Sequence, residues 1–426
     1  MIPYPLARAD VADRQLRWLV EQARTRVEKA FPQRVATVLM GSLARGEGTV
    51  LVRGSRPVVL SDLDLGVVFR TPREGAGAEA ALRETARSLT RAARAWGLLG
   101  AVDLGALSVP GLARPAARPG TRELKRYGAV IAGDRDVLAA MPEIPVAAIP
   151  PEESLLLCEN RLLELLWTRP ALEREPPAAC AAAYAGGKAV LDGTLAWLVR
   201  HGEDPDGVEE RLAAAEARLA PVAGDAGVQS LLDALRFWTR FKLEPREEAL
   251  AARYPAGGRA PAGGACGLAW REGALLLLDI YRSLVEETVR GGTTGAPRYG
   301  ARVWRAAATR ARLRRRARRW FEAWRERRAR GLKWAGPGAA LAGLGRGAPE
   351  HLLGAAAAAL VTCAPGLDGD ADDRREAERF ARRTSPVGWP RDAAWEMRRE
   401  ALVAAWDRWV LRGTRTGPGD APWLDR

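Results

Sequence analysis

"GSLARGEG" (residues 41–48) follows directly on the apolar run "RVATVLM" (34–40) and is answered, after a delay, by "SDLDLGVV" (61–68). The first run has the aliphatic, β-branched composition of a buried strand. A glycine–serine pair at its end predicts a turn in which backbone N–H groups approach an anion with no Cβ in the way, and the Ser42 hydroxyl adds a donor. The second run sets Asp62 and Asp64 two residues apart. Strand side chains alternate, so both carboxylates point one way with Cα atoms about 6.6 Å apart, while Leu63 and Leu65 face the core. Carboxylates held this close repel unless a cation sits between them. Such a pair suits divalent ions that clamp the attacking and leaving oxygens of a phosphoryl transfer.

A third acid, Asp103, lies in "AVDLG" (101–105). Aspartate is a poor strand former, so its place in an apolar run asks for a reason, and a third metal ligand supplies one. Around these acids the chain alternates. Leu16, Leu19, Val20, Ala23, Val27 and Phe31 recur at helical spacing over 10–31, a second helix is expected over about 77–96, and a short one at "TRELKR" (121–126). Strands are expected near "GAVDLGALSV" (100–109) and "GAVIAG" (128–133). Alternation of this kind predicts an α/β (α+β) domain over 1–150, ending in the proline-rich linker "MPEIPVAAIPPEE" (141–153).

A Gly-Ser loop, an Asp-x-Asp strand and a lone acid on a neighbouring strand resemble the signature of the DNA polymerase β superfamily of nucleotidyltransferases, over roughly the first 150 residues. The resemblance implies a polymerase-β-like catalytic domain with Gly41, Ser42 and Arg45 at the nucleotide. It implies that Asp62 and Asp64 bind two magnesium ions, and that Asp103 completes the catalytic metal site and helps deprotonate an acceptor hydroxyl. The expected reaction carries a nucleoside monophosphate from an NTP, ATP by default, to a hydroxyl acceptor and releases pyrophosphate. One departure from the family is the separation of Ser42 from Asp62 by 19 residues. The extra stretch "TVLVRGSRPVVL" (49–60) reads as an inserted hairpin around "RGSRP". Arg45, Arg53 and Arg56 then either reach an anionic substrate or are solvated.

From 151 the pattern turns helical, and two further regions are expected: 151–295, able to close over the nucleotide, and the Arg/Trp-rich 296–426. The breaks "RYPAGGRAPAGGACG" (253–267) and "RGGTTGAPRYG" (290–300) punctuate it. In the superfamily a lysine on such helices often neutralises the triphosphate, and Lys188 stands out because the chain has 61 arginines and only 5 lysines. Tyr184 and Asp192, one turn to either side, share its face. The "GGK" at 186–188 is no Walker A loop, since Ala182 and Ala189 stand where that motif needs glycine and a hydroxyl residue.

Residues 301–330 carry 13 arginines with Trp304, Trp320, Phe321 and Trp324 among them. That helix either tracks a phosphate backbone, binds anionic lipid headgroups, or packs its aromatic stripe and solvates its charge. The acids of "DGDADD" (368–373) read as a cap on the following helix rather than a calcium loop. The net charge of +14 favours anionic partners. Four scattered cysteines and two histidines support neither a zinc site nor a disulfide framework. No uncharged apolar run reaches the roughly 18 residues of a membrane span, and the N-terminus lacks a signal-peptide core, so a cytoplasmic protein is expected. A small-molecule hydroxyl is the leading acceptor; RNA and a protein side chain are rivals, as is a non-catalytic nucleotide sensor or scaffold.

Overall fold

The computed structural model describes residues 6–53, 56–174, 177–255, 263–288, 320, 349–367, 371–385 and 393–409. The basic stretch 301–330, apart from the buried Trp320, therefore lies outside the described residues, as does the 290–300 break.

The fold is mixed α/β, a small sheet followed by many helices. Strand β1 (Ala36–Met40) lies at the centre, antiparallel to β4 (Leu63–Phe69) on one side and to β6 (Ala129–Gly133) on the other; β5 (Val102–Ser108) joins β4 in parallel. The sheet order is β5-β4-β1-β6. Helix α3 (Pro72–Arg94) makes the crossover between the parallel strands. It begins earlier than the apolar periodicity suggests, because Thr71 accepts from the Glu74 N–H and Pro72 needs no donor in the first turn.

Alternation decides which residues face which way. Leu39, Leu65, Val67, Val102 and Leu104 pack with α1 (Asp10–Ala30) and α3 in one core. Ala36, Val38 and Val68 face the other way and pack with Leu112 and Leu124, from α4 (Val109–Ala113) and α5 (Pro119–Tyr127). Asp64, one residue out of step with Leu63 and Leu65, falls on that second face, and Asp103 does so beside Leu104.

The inserted hairpin is present as β2 (Val50–Arg53) paired with β3 (Arg56–Val59). Its faces serve different cores: Val50 and Val59 belong with α1 and the sheet, whereas Leu51, Val58 and Leu60 belong with the helices that follow.

Those helices are α6 (Pro151–Thr168), α7 (Ala178–Arg200), α8 (Val208–Leu219), α9 (Ala226–Leu243), α10 (Glu247–Arg253) and α11 (Ala265–Thr288). The C-terminal α12 (Pro349–Thr362), α13 (Ala371–Thr384) and α14 (Trp395–Trp409) bury Leu353, Phe380, Leu402 and Trp406 in the same core as Leu162, Ala189 and Leu277. Helices α7 and α11 meet backbone to backbone. A Cβ on Gly273 would stand 2.3 Å from the Gly186 carbonyl oxygen, and one on Gly186 2.9 Å from that of Ala269. Among the described residues no helix is long and apolar enough to cross a membrane.

Candidate active site

The site begins where β1 ends. Gly41 has φ +66°, a left-handed conformation that glycine adopts without strain, and turns the chain into the single helical turn α2 (Gly41–Ala44). The expected loop is thus the first turn of a short helix. A Cβ at Gly41 would lie 2.4 Å from Asp64 Oδ2, so the missing side chain lets that carboxylate rest against the backbone. Pairing fixes the rest: Met40 faces Asp64 across the antiparallel pair, and Asp64 is in register with Asp103 across the parallel one. Ser42 Oγ stands 3.5 Å from Ser61 Oγ, which accepts from the Thr49 N–H at 2.9 Å.

Asp62 precedes β4. Its Oδ1 accepts from the Ala101 N–H at 2.9 Å and its Oδ2 from Lys188 Nζ at 3.1 Å. Lys188 also donates to Glu164 Oε1 at 2.9 Å, and so joins the acid of the sheet to α6. The reason that α7 carries Lys188 here lies in the preceding glycines. Gly186 admits α11, and a Cβ on Gly187 would meet the buried Trp238 ring at 2.2 Å. The "GG" of "GGK" is a packing device that brings the lysine up to Asp62.

Beyond Lys188 the ion pairs continue. Glu164 binds Arg161, Arg161 Nε stands 3.0 Å from Asp192 Oδ2, and Arg211 Nη1 lies 3.9 Å from Asp192 Oδ1. Burial pushes the Asp192 carboxyl up, but Arg161, Arg211, Lys188 and Lys242 outweigh it and hold the group below the ordinary carboxylate value. On the far side Arg45 pairs with Glu47 at 2.9 Å and with Glu123. Desolvation opposes the Arg45 charge, yet the two glutamates more than restore it. Glu47 accepts from the Val208 N–H at 2.7 Å; burial raises its carboxyl, and Arg45, Lys242 and Arg211 bring it below the ordinary value.

A third cluster floors the site. The Thr49 hydroxyl donates to the Lys242 carbonyl at 3.0 Å, so the Tyr184 phenol is the donor in its 2.8 Å contact with Thr49 Oγ1, and it accepts from Lys242 Nζ at 3.2 Å. Complete burial raises the Tyr184 phenol, but the charges of Lys242 and Lys188, with the hydrogen bond it accepts from Lys242, leave it below the ordinary tyrosine value.

Together these groups bound a cavity of about 240 Å³. Gly41, Ser42, Asp62 and Asp64 line one side, and Arg161, Lys188, Arg211 and Lys242 the other. Arg45 also lines it, already held by its two glutamates. Tyr184 and Asp192 line it as well, as their place beside Lys188 on α7 suggests. Asp103 is beside Asp64 by register but is not part of the lining. Arg53 points elsewhere, to Glu247 at 2.7 Å, and the Arg56 side chain lies outside the described residues. The sequence did not single out Arg161, Glu164, Arg211 or Lys242. Lys242 carried the same signal as Lys188, a rare lysine in an arginine-rich chain.

Among the described residues no three acid, imidazole or thiol groups are gathered as a metal site. In donor chemistry Asp62, Asp64 and Asp103 fit magnesium, a hard ion that takes carboxylate oxygen. Lys188 brings a positive charge to Asp62 as well. Set against protein-family models, curated proteins and solved structures, the chain matches none.

Proposed function

We propose that the chain is a magnesium-dependent nucleotidyltransferase, which moves a nucleoside monophosphate from an NTP, ATP by default, to a hydroxyl on a small molecule. The observation that carries this reading is the register that puts Asp64 beside Asp103 and opposite the end of β1, where Gly41 and Ser42 make their turn.

In this reading Asp62, Asp64 and Asp103 hold two magnesium ions, which when bound supply Lewis-acid neutralisation of the phosphate oxygens. Ser42 donates to the terminal phosphates, with the N–H groups of the Gly41 turn beside it. Lys188, Arg211 and Lys242, which line the cavity, offset the charge of the triphosphate from the helical side. The acceptor oxygen forms a bond to the α-phosphorus as the bond from that phosphorus to the bridging oxygen breaks. Pyrophosphate leaves with the bond's electron pair, and the hydroxyl proton passes to Asp103.

The test incubates the protein with magnesium and each α-labelled NTP, beside an Asp62→Asn, Asp64→Asn double variant, over pooled small-molecule, RNA and protein acceptors. Label on the small-molecule pool with matching pyrophosphate, reduced at least about 100-fold in the variant, is expected. Equal labelling by both proteins overturns the reading. Label on the RNA or protein pool instead corrects the acceptor and leaves the chemistry.

A further inference from the structure

Lys188 Nζ stands 3.1 Å from Asp62 Oδ2 and 2.9 Å from Glu164 Oε1, and the three side chains are only 16%, 14% and 7% exposed. Water screens such contacts weakly, so they are strong. The two bonds are not equivalent in what depends on them. Glu164 has a second cation in Arg161, and the Asp62 atom that Lys188 does not touch is engaged by the Ala101 N–H. Lys188 is a cation partner of both carboxylates, and Glu164 stays paired with Arg161 without it. The backbone that carries Lys188 is held in place, because α7 packs Gly186 against α11 and Gly187 against Trp238, so the ammonium moves only by side-chain rotation.

We infer that Lys188 is a resident counter-cation for Asp62. It neutralises that carboxylate while the cleft holds no polyphosphate, and releases it when phosphate oxygens draw the ammonium away. A bare divalent ion approaching Asp62 meets a like charge already bonded there; a divalent ion carried on a polyphosphate brings the anion that takes the lysine. The site therefore selects the cation–polyphosphate complex over either part alone, and Lys188 sets that selectivity. The inference rests on the nucleotidyltransferase reading for the identity of Asp62 as a cation ligand.

The test measures manganese(II) binding to the full chain by electron paramagnetic resonance, without nucleotide and then with α,β-methylene-ATP. Lys188→Met should bind bare manganese(II) at least about tenfold more tightly than wild type. Lys188→Gln, which keeps a hydrogen-bonding group but no charge, should share that gain and decides the matter should the methionine variant fail to fold. The nucleotide analogue should tighten manganese(II) binding more in wild type than in either variant. Arg211→Met removes a charge from the same cleft without touching Asp62 and should change bare-ion affinity less than about threefold.

No gain in the lysine variants, including no detectable binding in any protein, overturns the inference. So does an equal gain in Arg211→Met, which would make the effect one of total charge. Adding Asp62→Asn to Lys188→Met should abolish the gain. A gain that survives this change removes Asp62 from the cation site, and it is then the proposed function that falls.

Discussion

The two walls of the cleft are built on different principles. The sheet wall presents Asp62 and Asp64, with Asp103 behind them on the next strand, and the placement of Asp64 beside Asp103 follows from side-chain alternation and strand register. The helical wall gathers Arg161, Lys188, Arg211 and Lys242 from four helices, α6, α7, α8 and α9, and their separation is set by helix packing and by the acids Glu164 and Asp192 between them. The first wall is positioned by backbone hydrogen bonds and the second by the fit of glycines against backbone and rings. Sheet geometry tolerates a poor neighbour; a helix crossing at glycine contact does not.

Gly187→Ala breaks this contrast with the largest expected effect. The new methyl meets the fully buried Trp238, and overpacking of that kind destabilises by about 3 kcal/mol. Thermal unfolding should report that loss, while a surviving fraction keeps the acids of the sheet in register. A melting temperature unchanged from wild type would mean that α7 has room to move, and that the helical wall is less exacting than its packing indicates.

Asp192→Asn sharpens the contrast with a smaller loss, about 2 kcal/mol at pH 7, since Arg161 and Arg211 lose the charge they share. The carboxyl of Asp192 is depressed below its ordinary value of 3.8, so its contribution is full well above that value and is lost as pH falls through the lowered folded value. Chemical denaturation from pH 7 to pH 3 should therefore show the wild type converging on the variant. A gap that stays constant across that range would show that shape, not charge, is what Asp192 contributes.

The smallest effect is expected from Arg53→Ala on the hairpin. Its pair with Glu247 is 38% and 32% exposed, and such a pair contributes less than about 1 kcal/mol. A larger loss in denaturant unfolding would show that the hairpin is tied to the helices by charge as well as by its apolar side chains.

How much of this was legible in the sequence follows the same division. The strand before Gly41, the strands that carry Asp64 and Asp103, and the hairpin are local patterns and stand where the alternation puts them, whereas Asp62 falls one residue ahead of its strand. The sequence predicts a loop at Ser42 and the structure has the start of one helical turn there, since four residues carry too little periodicity to tell the two apart. The family resemblance and the rarity of lysine together single out Lys188, whereas the packing role of the glycines before it is not legible. Arg161, Glu164, Arg211 and the Thr49–Tyr184–Lys242 cluster were not legible. They depend on where helices distant in the chain cross, and no pattern within a single helix records a crossing. Arg45 was expected at the nucleotide; it lines the cavity, but with its guanidinium already between Glu47 and Glu123.

The hairpin has a consequence for synthesis on the ribosome. Leu51, Val58 and Leu60 leave the exit tunnel early, yet the core that covers them draws on α6, α7 and α11 and ends with side chains as late as Trp406. At about 5–20 residues per second the wait for α11 is on the order of ten seconds or more. For that interval the three side chains lack the core that buries them in the folded chain.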